Sequence, residues 1–195
     1  MENIHRIIGI TGAFGSGKTT TANFFATRGF TKIILSSFLE EEAKKRTPEK
    51  ITRKMLQDIG NEWREKYGKG VLASKTLGYI EKNNLTRVVI DGIRNIGEIE
   101  ILRSSKNFIL IGVIANRKTR FKRLQSFERR EKLNWDLFQK LDYRDLGIGE
   151  KDTGLQVAYC LALADMFVEN NERIQNLETK LDQIVKTQRT YDKNI

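Results

Sequence analysis

Eight residues near the amino end carry the most legible chemistry in this chain: Gly12-Ala13-Phe14-Gly15-Ser16-Gly17-Lys18-Thr19. They fit G-x-x-x-x-G-K-[ST] at every specified position. Glycines let the backbone wrap a polyphosphate with its N–H groups turned inward, and the following helix offers the same anion a positive N-terminus. Lys18 then reaches the β- and γ-phosphates, and the Thr19 hydroxyl sits on Mg2+. Phe14, Ser16 and Thr20 complete the set expected against the nucleotide. A dinucleotide-binding loop fits less well, because Thr20 stands where the third glycine of G-x-G-x-x-G belongs.

Three other groups could serve the same chemistry. Asp91 ends an apolar run, RVVI, where a second Mg2+ carboxylate is expected beside such a loop. Arg94, three residues on, can fork a phosphate bidentately. Residues 117–132, RKTRFKRLQSFERREK, hold eight basic and two acidic side chains. On a helix Arg120 shares a face with both Arg117 and Arg123. Phosphoryl transfer is catalysed mostly by positioned cations, so this segment reads as a flap closing over the phosphates, with Arg129, Arg130 and Arg144 as further candidates.

These residues need elements to hold them. Ile7-Ile8-Gly9-Ile10 is expected as a buried strand, followed by a helix over 18–28 that Gly29 closes. Phe30 to Leu35 is expected as the second strand. Ser37 to Glu40 has the form of a capping box that starts a short helix, and Thr47-Pro48 the form of an N-cap and N1 pair. The helix to about Tyr67 gathers Ile51, Met55, Leu56, Ile59 and Trp63, and residues 71–82 form another. Strands are expected at 87–90, 107–115 and 166–169. Helices are expected from Asn95, over 154–165 and over 172–188, with an irregular charged stretch between the basic helix and Gly149. Alternating strands and helices predict a parallel sheet covered on both faces, with ligands at the carboxyl ends of its strands. That edge gathers the phosphate loop, Ser36-Ser37, Asp91 to Arg94, and Asn116-Arg117.

Bulk properties narrow the choice. A length of 195 residues suits one domain, here 1–195, with an insertion at 36–83 and a lid region at 117–149. A single cysteine, Cys160, and a single histidine, His5, exclude an internal disulfide, a Cys/His zinc cluster and a Ser-His-Asp triad. No apolar run is long enough to span a bilayer, and a cytoplasmic protein without a membrane partner is expected. The net charge of +10 favours polyanionic partners, either nucleoside phosphates or nucleic acid.

GAFGSGKTT, VVIDGIR, ANRKTRFKRL and ALADMFVENN together resemble the nucleoside monophosphate kinase group of P-loop kinases. The nearest members are the adenylate/cytidylate-kinase-like proteins and the phage-type deoxynucleoside monophosphate kinases, with dephospho-coenzyme A kinase a near relative. The resemblance covers residues 5 to 185. It implies an α/β three-layer sandwich around a five-stranded parallel sheet, a helical acceptor-binding insertion between strands two and three, and a small basic lid. It implies ATP and Mg2+ as cofactors and a small nucleotide as acceptor. Asp91-Gly92-Ile93-Arg94 looks like the group's D-G-x-P-R element, shortened by one residue and without its proline, in which the arginine holds the acceptor phosphate. By the same resemblance Arg120 stacks on the donor adenine, Arg123 contacts phosphate, Asn170 offers backbone contacts to adenine, and Arg64 is a further acceptor-phosphate residue. Ser36 belongs to the acceptor side.

The position after the second strand separates two acceptors. Phosphorylating a ribose hydroxyl, as dephospho-coenzyme A kinase does, calls for a general base, and relatives place an aspartate there. Here Leu35-Ser36-Ser37 has no carboxylate until Glu40, which favours a monophosphate acceptor. A nucleic-acid-associated ATPase and a non-catalytic nucleotide sensor are the competing classes. The first lacks stacking motifs. The second would use Ile174, Leu177, Leu181 and Ile184 as a dimer seam, although packing of that helix on the sheet is the better expectation. Either a monomer or a homodimer is compatible with the sequence.

Overall fold

A computed structural model describes residues 6–105, 107–126 and 132–191. Five strands, β1 (Arg6–Thr11), β2 (Thr31–Ile34), β3 (Arg87–Ile93), β4 (Phe108–Ile114) and β5 (Met166–Glu169), form one sheet in the order β2-β3-β1-β4-β5. Every pairing is parallel. Parallel neighbours need crossover connections, and helices supply them on both faces. The result is the expected three-layer α/β sandwich.

Side-chain alternation along the strands divides the core. Ile7, Ile33, Val88, Ile90 and Leu110 point to one face. They pack there against α2 (Leu35–Arg46), α3 (Arg53–Tyr67), α4 (Val71–Lys82), α5 (Ile96–Arg103) and Cys160 of α8 (Val157–Ala162). Ile8, Ile10, Val89, Ile111, Val113 and Val168 point to the other face, against α1 (Lys18–Ala26) and α9 (Ile174–Tyr191). Leu177 and Leu181 of α9 are buried in that second cluster while Ile174 is exposed, so the apolar stripe of this helix covers the sheet. No helix among the described residues is long and apolar enough to cross a membrane.

Several boundaries differ from the sequence-based expectation for local reasons. Helix α2 starts at Leu35 straight after β2, and the Ser37 hydroxyl donates to the Ile34 carbonyl at 2.7 Å instead of capping. Helix α3 starts at Arg53, where the Thr52 hydroxyl accepts from the Met55 N–H at 3.2 Å. Thr47 instead closes a turn by accepting from the Glu49 N–H at 3.1 Å. A capping box at Asn95 and Glu98 opens α5, the helix expected from Asn95. The stretch expected to be irregular contains a helix, α7 (Trp135–Leu146), capped by the Asn134 side chain on the Leu137 N–H at 2.8 Å. The apolar helix expected over 154–165 is cut to the six residues of α8. The remaining helix, α6 (Arg117–Gln125), carries the basic segment; residues 127–131, which include Arg129 and Arg130, lie outside the described residues.

Candidate active site

The carboxyl ends of β1, β3, β4 and β5 surround the loop of residues 12–17, and each neighbour fixes part of it. At the end of β1 the Thr11 hydroxyl donates to the Ile93 carbonyl of β3 at 2.9 Å. Gly15 has φ +80°, and a Cβ there would lie 2.8 Å from the Leu124 side chain and 2.9 Å from the Arg120 carbonyl. Gly17 has φ +104°, and a Cβ there would run into the Asn170 side-chain amide. Both positions therefore need glycine for conformation and for space. Asn170, just beyond β5, donates from its side chain to the Ser16 carbonyl at 2.9 Å. Asn170, expected as an adenine contact, braces the loop in this way. Ser16 is buried and its hydroxyl has no protein hydrogen-bond partner. Thr20 lies half-buried in the first turn of α1.

Lys18 is curled into this loop, its ammonium donating to the carbonyls of Gly12 at 2.6 Å and Ala13 at 3.1 Å. Burial, reinforced by Arg94 and Arg53 and opposed by Asp145 and Asp91, pushes the ammonium pKa down to about 7. A polyphosphate seated in the loop would restore its full charge. Thr19 stays exposed and its hydroxyl donates to Asp91 Oδ2 at 2.7 Å, with Asp91 itself buried. One hydroxyl and one carboxylate at the mouth of a phosphate loop are hard oxygen donors, and they fit Mg2+, which takes few protein ligands and completes its shell with phosphates and water. Among the described residues there is no cluster of three or more His, Cys, Asp or Glu side chains that would suit a different metal.

A second cationic group stands beside the first. Arg94, after β3, points its Nη1 at Asp145 Oδ1 across 3.6 Å, and Arg53, opening α3, donates to the same oxygen at 2.9 Å. The Arg53 guanidinium also lies over the ring of Phe14 in the loop, 3.8 Å from its centroid. Asp145 is fully buried. Burial alone would raise its pKa, but Arg53, Arg94 and Lys18 outweigh that and hold it below the usual carboxylate range. Two arginines and a lysine therefore converge on one internal carboxylate.

The basic helix α6 is anchored more deeply than its composition suggests. Arg120 is buried, with Nη2 on Asp142 Oδ2 at 3.0 Å, Nη1 on Asp142 Oδ1, and a further bond from Nη1 to the Phe14 carbonyl at 2.9 Å. Arg117 also reaches Asp142, at 3.2 Å, and stacks on Tyr143. In this state Arg120 thus ties α6 to α7 and to the loop, instead of standing free for an adenine ring. Arg123 donates to the carbonyls of Asn170 at 2.7 Å and Glu172 at 3.2 Å. Arg144 joins Asp58 and Glu150, each at 2.6 Å. Arg64, the further acceptor-phosphate residue implied by the resemblance, bonds Glu98 through Nε at 3.1 Å and Nη2 at 2.9 Å in a fully buried pair. Ser36 sits half-buried in the first turn of α2. Cys160 is buried in α8, and burial drives its thiol pKa upward, which disfavours the nucleophilic thiolate.

Arg53, Asp142 and Asp145 were not singled out from the sequence. For the two aspartates a signal existed: Phe138, Leu141, Asp142 and Asp145 recur at helical spacing, and all four are buried on one face of α7. Arg53 gave no such sign, because it falls off the apolar face that Ile51, Met55, Leu56, Ile59 and Trp63 define.

Fold and loop together define a protein with the kinase-like P-loop architecture. No protein-family model matches the chain. It belongs to the UPF0200 family: it is 30% identical over 182 residues to a UPF0200 protein of Methanocaldococcus jannaschii, covering 92% of this chain and 88% of that protein. A second UPF0200 protein, from Methanothermobacter thermautotrophicus, is 31% identical over 183 residues, covering 92% and 89%. Among solved structures, shikimate kinase from Acinetobacter baumannii in complex with shikimate shares the fold, with a TM-score of 0.60 at 16% identity over 95% of this chain and 96% of that one.

Proposed function

We propose that this protein is an ATP- and Mg2+-dependent phosphotransferase that moves the γ-phosphoryl group onto a nucleoside or deoxynucleoside monophosphate. The observation that carries the reading is the convergence of Arg53 and Arg94 beside Lys18. A loop that only binds or hydrolyses a triphosphate needs its lysine and its metal; two more guanidinium groups next to that lysine suit a second anion. A monophosphate is already ionised, so cations that hold it in line with the donor supply most of what the reaction requires.

The roles follow from position. The backbone of residues 12–17 and Lys18 take the donor phosphates, and Thr19 and Asp91 would hold Mg2+. Held there, Mg2+ would supply positive charge against the charge that develops on the transferred group. Arg94 and Arg53 take the acceptor phosphate in place of Asp145. Arg120, Arg117 and Arg123 keep α6 against the loop, where it excludes water and limits hydrolysis. Asn170 holds the loop's shape beside the donor, and the single buried cysteine accords with a cytoplasmic setting.

One observation favours a second reading, an alcohol acceptor such as dephospho-coenzyme A. The carboxylate missing after β2 has a counterpart in Asp145, whose charge acts on Lys18 from α7 and which could orient a hydroxyl. A coupled ADP-release screen separates the two. Common ribo- and deoxyribonucleoside monophosphates should stimulate ADP formation in stoichiometric amount. Stimulation only by dephospho-coenzyme A or shikimate would select the alcohol reading, and stimulation by no acceptor would overturn the kinase assignment.

A further inference from the structure

Helix α3 buries two faces. At about 100° per residue, Leu56, Ile59 and Trp63 fall in one apolar arc, while Arg53, Gln57, Asn61 and Arg64 fall within about 80° of one another on a second face. Along this polar row, Arg53 is bonded to Asp145 and Asn61 Nδ2 donates to Glu150 Oε2, so the row faces the end of α7 and the loop after it. Gln57 lies between those two contacts, only 2% exposed, and neither its Oε1 nor its Nε2 has a protein hydrogen-bond partner. Asn61 Oδ1 is buried in the same condition. Burying such groups without partners costs more than any hydrogen bond they replace, so an apolar residue at 57 would serve the fold better.

We infer that Gln57 and Asn61 determine acceptor specificity by reading the amidine edge, a ring nitrogen beside an exocyclic amino group, of a cytosine- or adenine-type base. The inference rests on the kinase reading above and extends it from the acceptor's phosphate to its base. Asn61 Nδ2 is occupied by Glu150, which leaves Oδ1 as an acceptor. Gln57 supplies one acceptor and one donor. Two acceptors and one donor complement an amino group and the adjacent ring nitrogen; the lactam edge of uracil, thymine or hypoxanthine presents the opposite pattern at that nitrogen. Arg53, one helical turn from Gln57, places the phosphate site at the end of the same row.

The test compares CMP with UMP and AMP with IMP, pairs that differ at this edge, with ribose 5-phosphate as a ligand lacking a base. Calorimetry in the presence of Mg2+ and a non-hydrolysable ATP analogue gives affinities, and ADP release gives turnover. The wild type should prefer the amino member of at least one pair by about tenfold or more. Gln57→Leu should reduce that preference to within about twofold and leave ribose 5-phosphate binding unchanged. It should also raise the melting temperature of the unliganded protein, a gain that a residue retained for packing would not give. Asn61→Leu should lose the same preference. Equal affinity within both pairs, a preference that survives in Gln57→Leu, or a lowered melting temperature with equal loss of ribose 5-phosphate binding would each overturn the inference and leave the phosphotransferase reading standing. Absence of acceptor-dependent ADP release from the whole panel would overturn both.

Discussion

The side-chain amide of Asn170 donates to the carbonyl of Ser16 at 2.9 Å, joining the residue after the last strand to the phosphate loop 154 positions earlier. The same amide fills the space that a side chain at Gly17 would need. Loop shape is therefore set partly from β5. Asn170→Ala should cost about 1 kcal/mol of stability, the net worth of one buried hydrogen bond. It should weaken Mg-ATP binding by about tenfold through a loosened loop, measurable by calorimetry.

Lys18→Ala should lower Mg-ATP turnover by about a thousandfold or more, because the cation curled into the phosphate loop is removed. Circular dichroism should show the fold retained, since the lysine's present bonds go only to loop carbonyls.

The titration of Lys18 gives a signed stability prediction. Its pKa is about 7 in the folded protein against an ordinary 10.5, so between those values the unfolded chain binds more protons. Stability of the unliganded protein should then rise with pH across that window. In Lys18→Met this contribution to the slope should vanish, as denaturant titrations at several pH values would show. Mg-ATP binding should restore the lysine's charge and draw protons from solution near pH 8, detectable by calorimetry in buffers of different ionisation enthalpy.

Asp142 receives both Arg120 and Arg117 while fully buried. Removing one partner of a buried pair strands the other's charge, so Asp142→Ala should cost about 3–5 kcal/mol. The Arg120→Ala/Asp142→Ala double variant should lose less than the sum of the single losses, with a coupling of about 1–3 kcal/mol in a double-mutant cycle.

Asp145 neutralises part of the Arg53, Arg94 and Lys18 cluster. Asp145→Ala should destabilise the protein in dilute buffer and make added sulfate or phosphate markedly more stabilising than in the wild type. A melting series at constant ionic strength reads this linkage. An unchanged anion response would mean that the cluster is not an anion site.

The five strands and their parallel direction, the loop and the helix start at Asn95 were readable because each rests on pattern in the sequence: apolar runs alternating with helices, glycine spacing, a box of four residues. The start of α3 was misplaced because Thr47 and Thr52 both suit a cap, and only tertiary packing decides between them. Helix α7 was hidden by its charge. Asp142 and Asp145 look like solvent-facing residues until Arg120 and Arg53, distant in sequence, turn them inward. The pairing of Arg64 with Glu98 was equally hidden, since Glu98 already had a visible task in the Asn95 cap. Local chemistry was legible, but long-range charge pairing was not.

Cys160 is sealed in α8 with a thiol that burial keeps protonated. For spectroscopy this means a silent background: cysteines introduced on the outer surfaces of α6 and α2 would take maleimide dyes without removal of the native thiol. The distance between those dyes would then follow, in real time, any approach of the two arms as donor and acceptor enter.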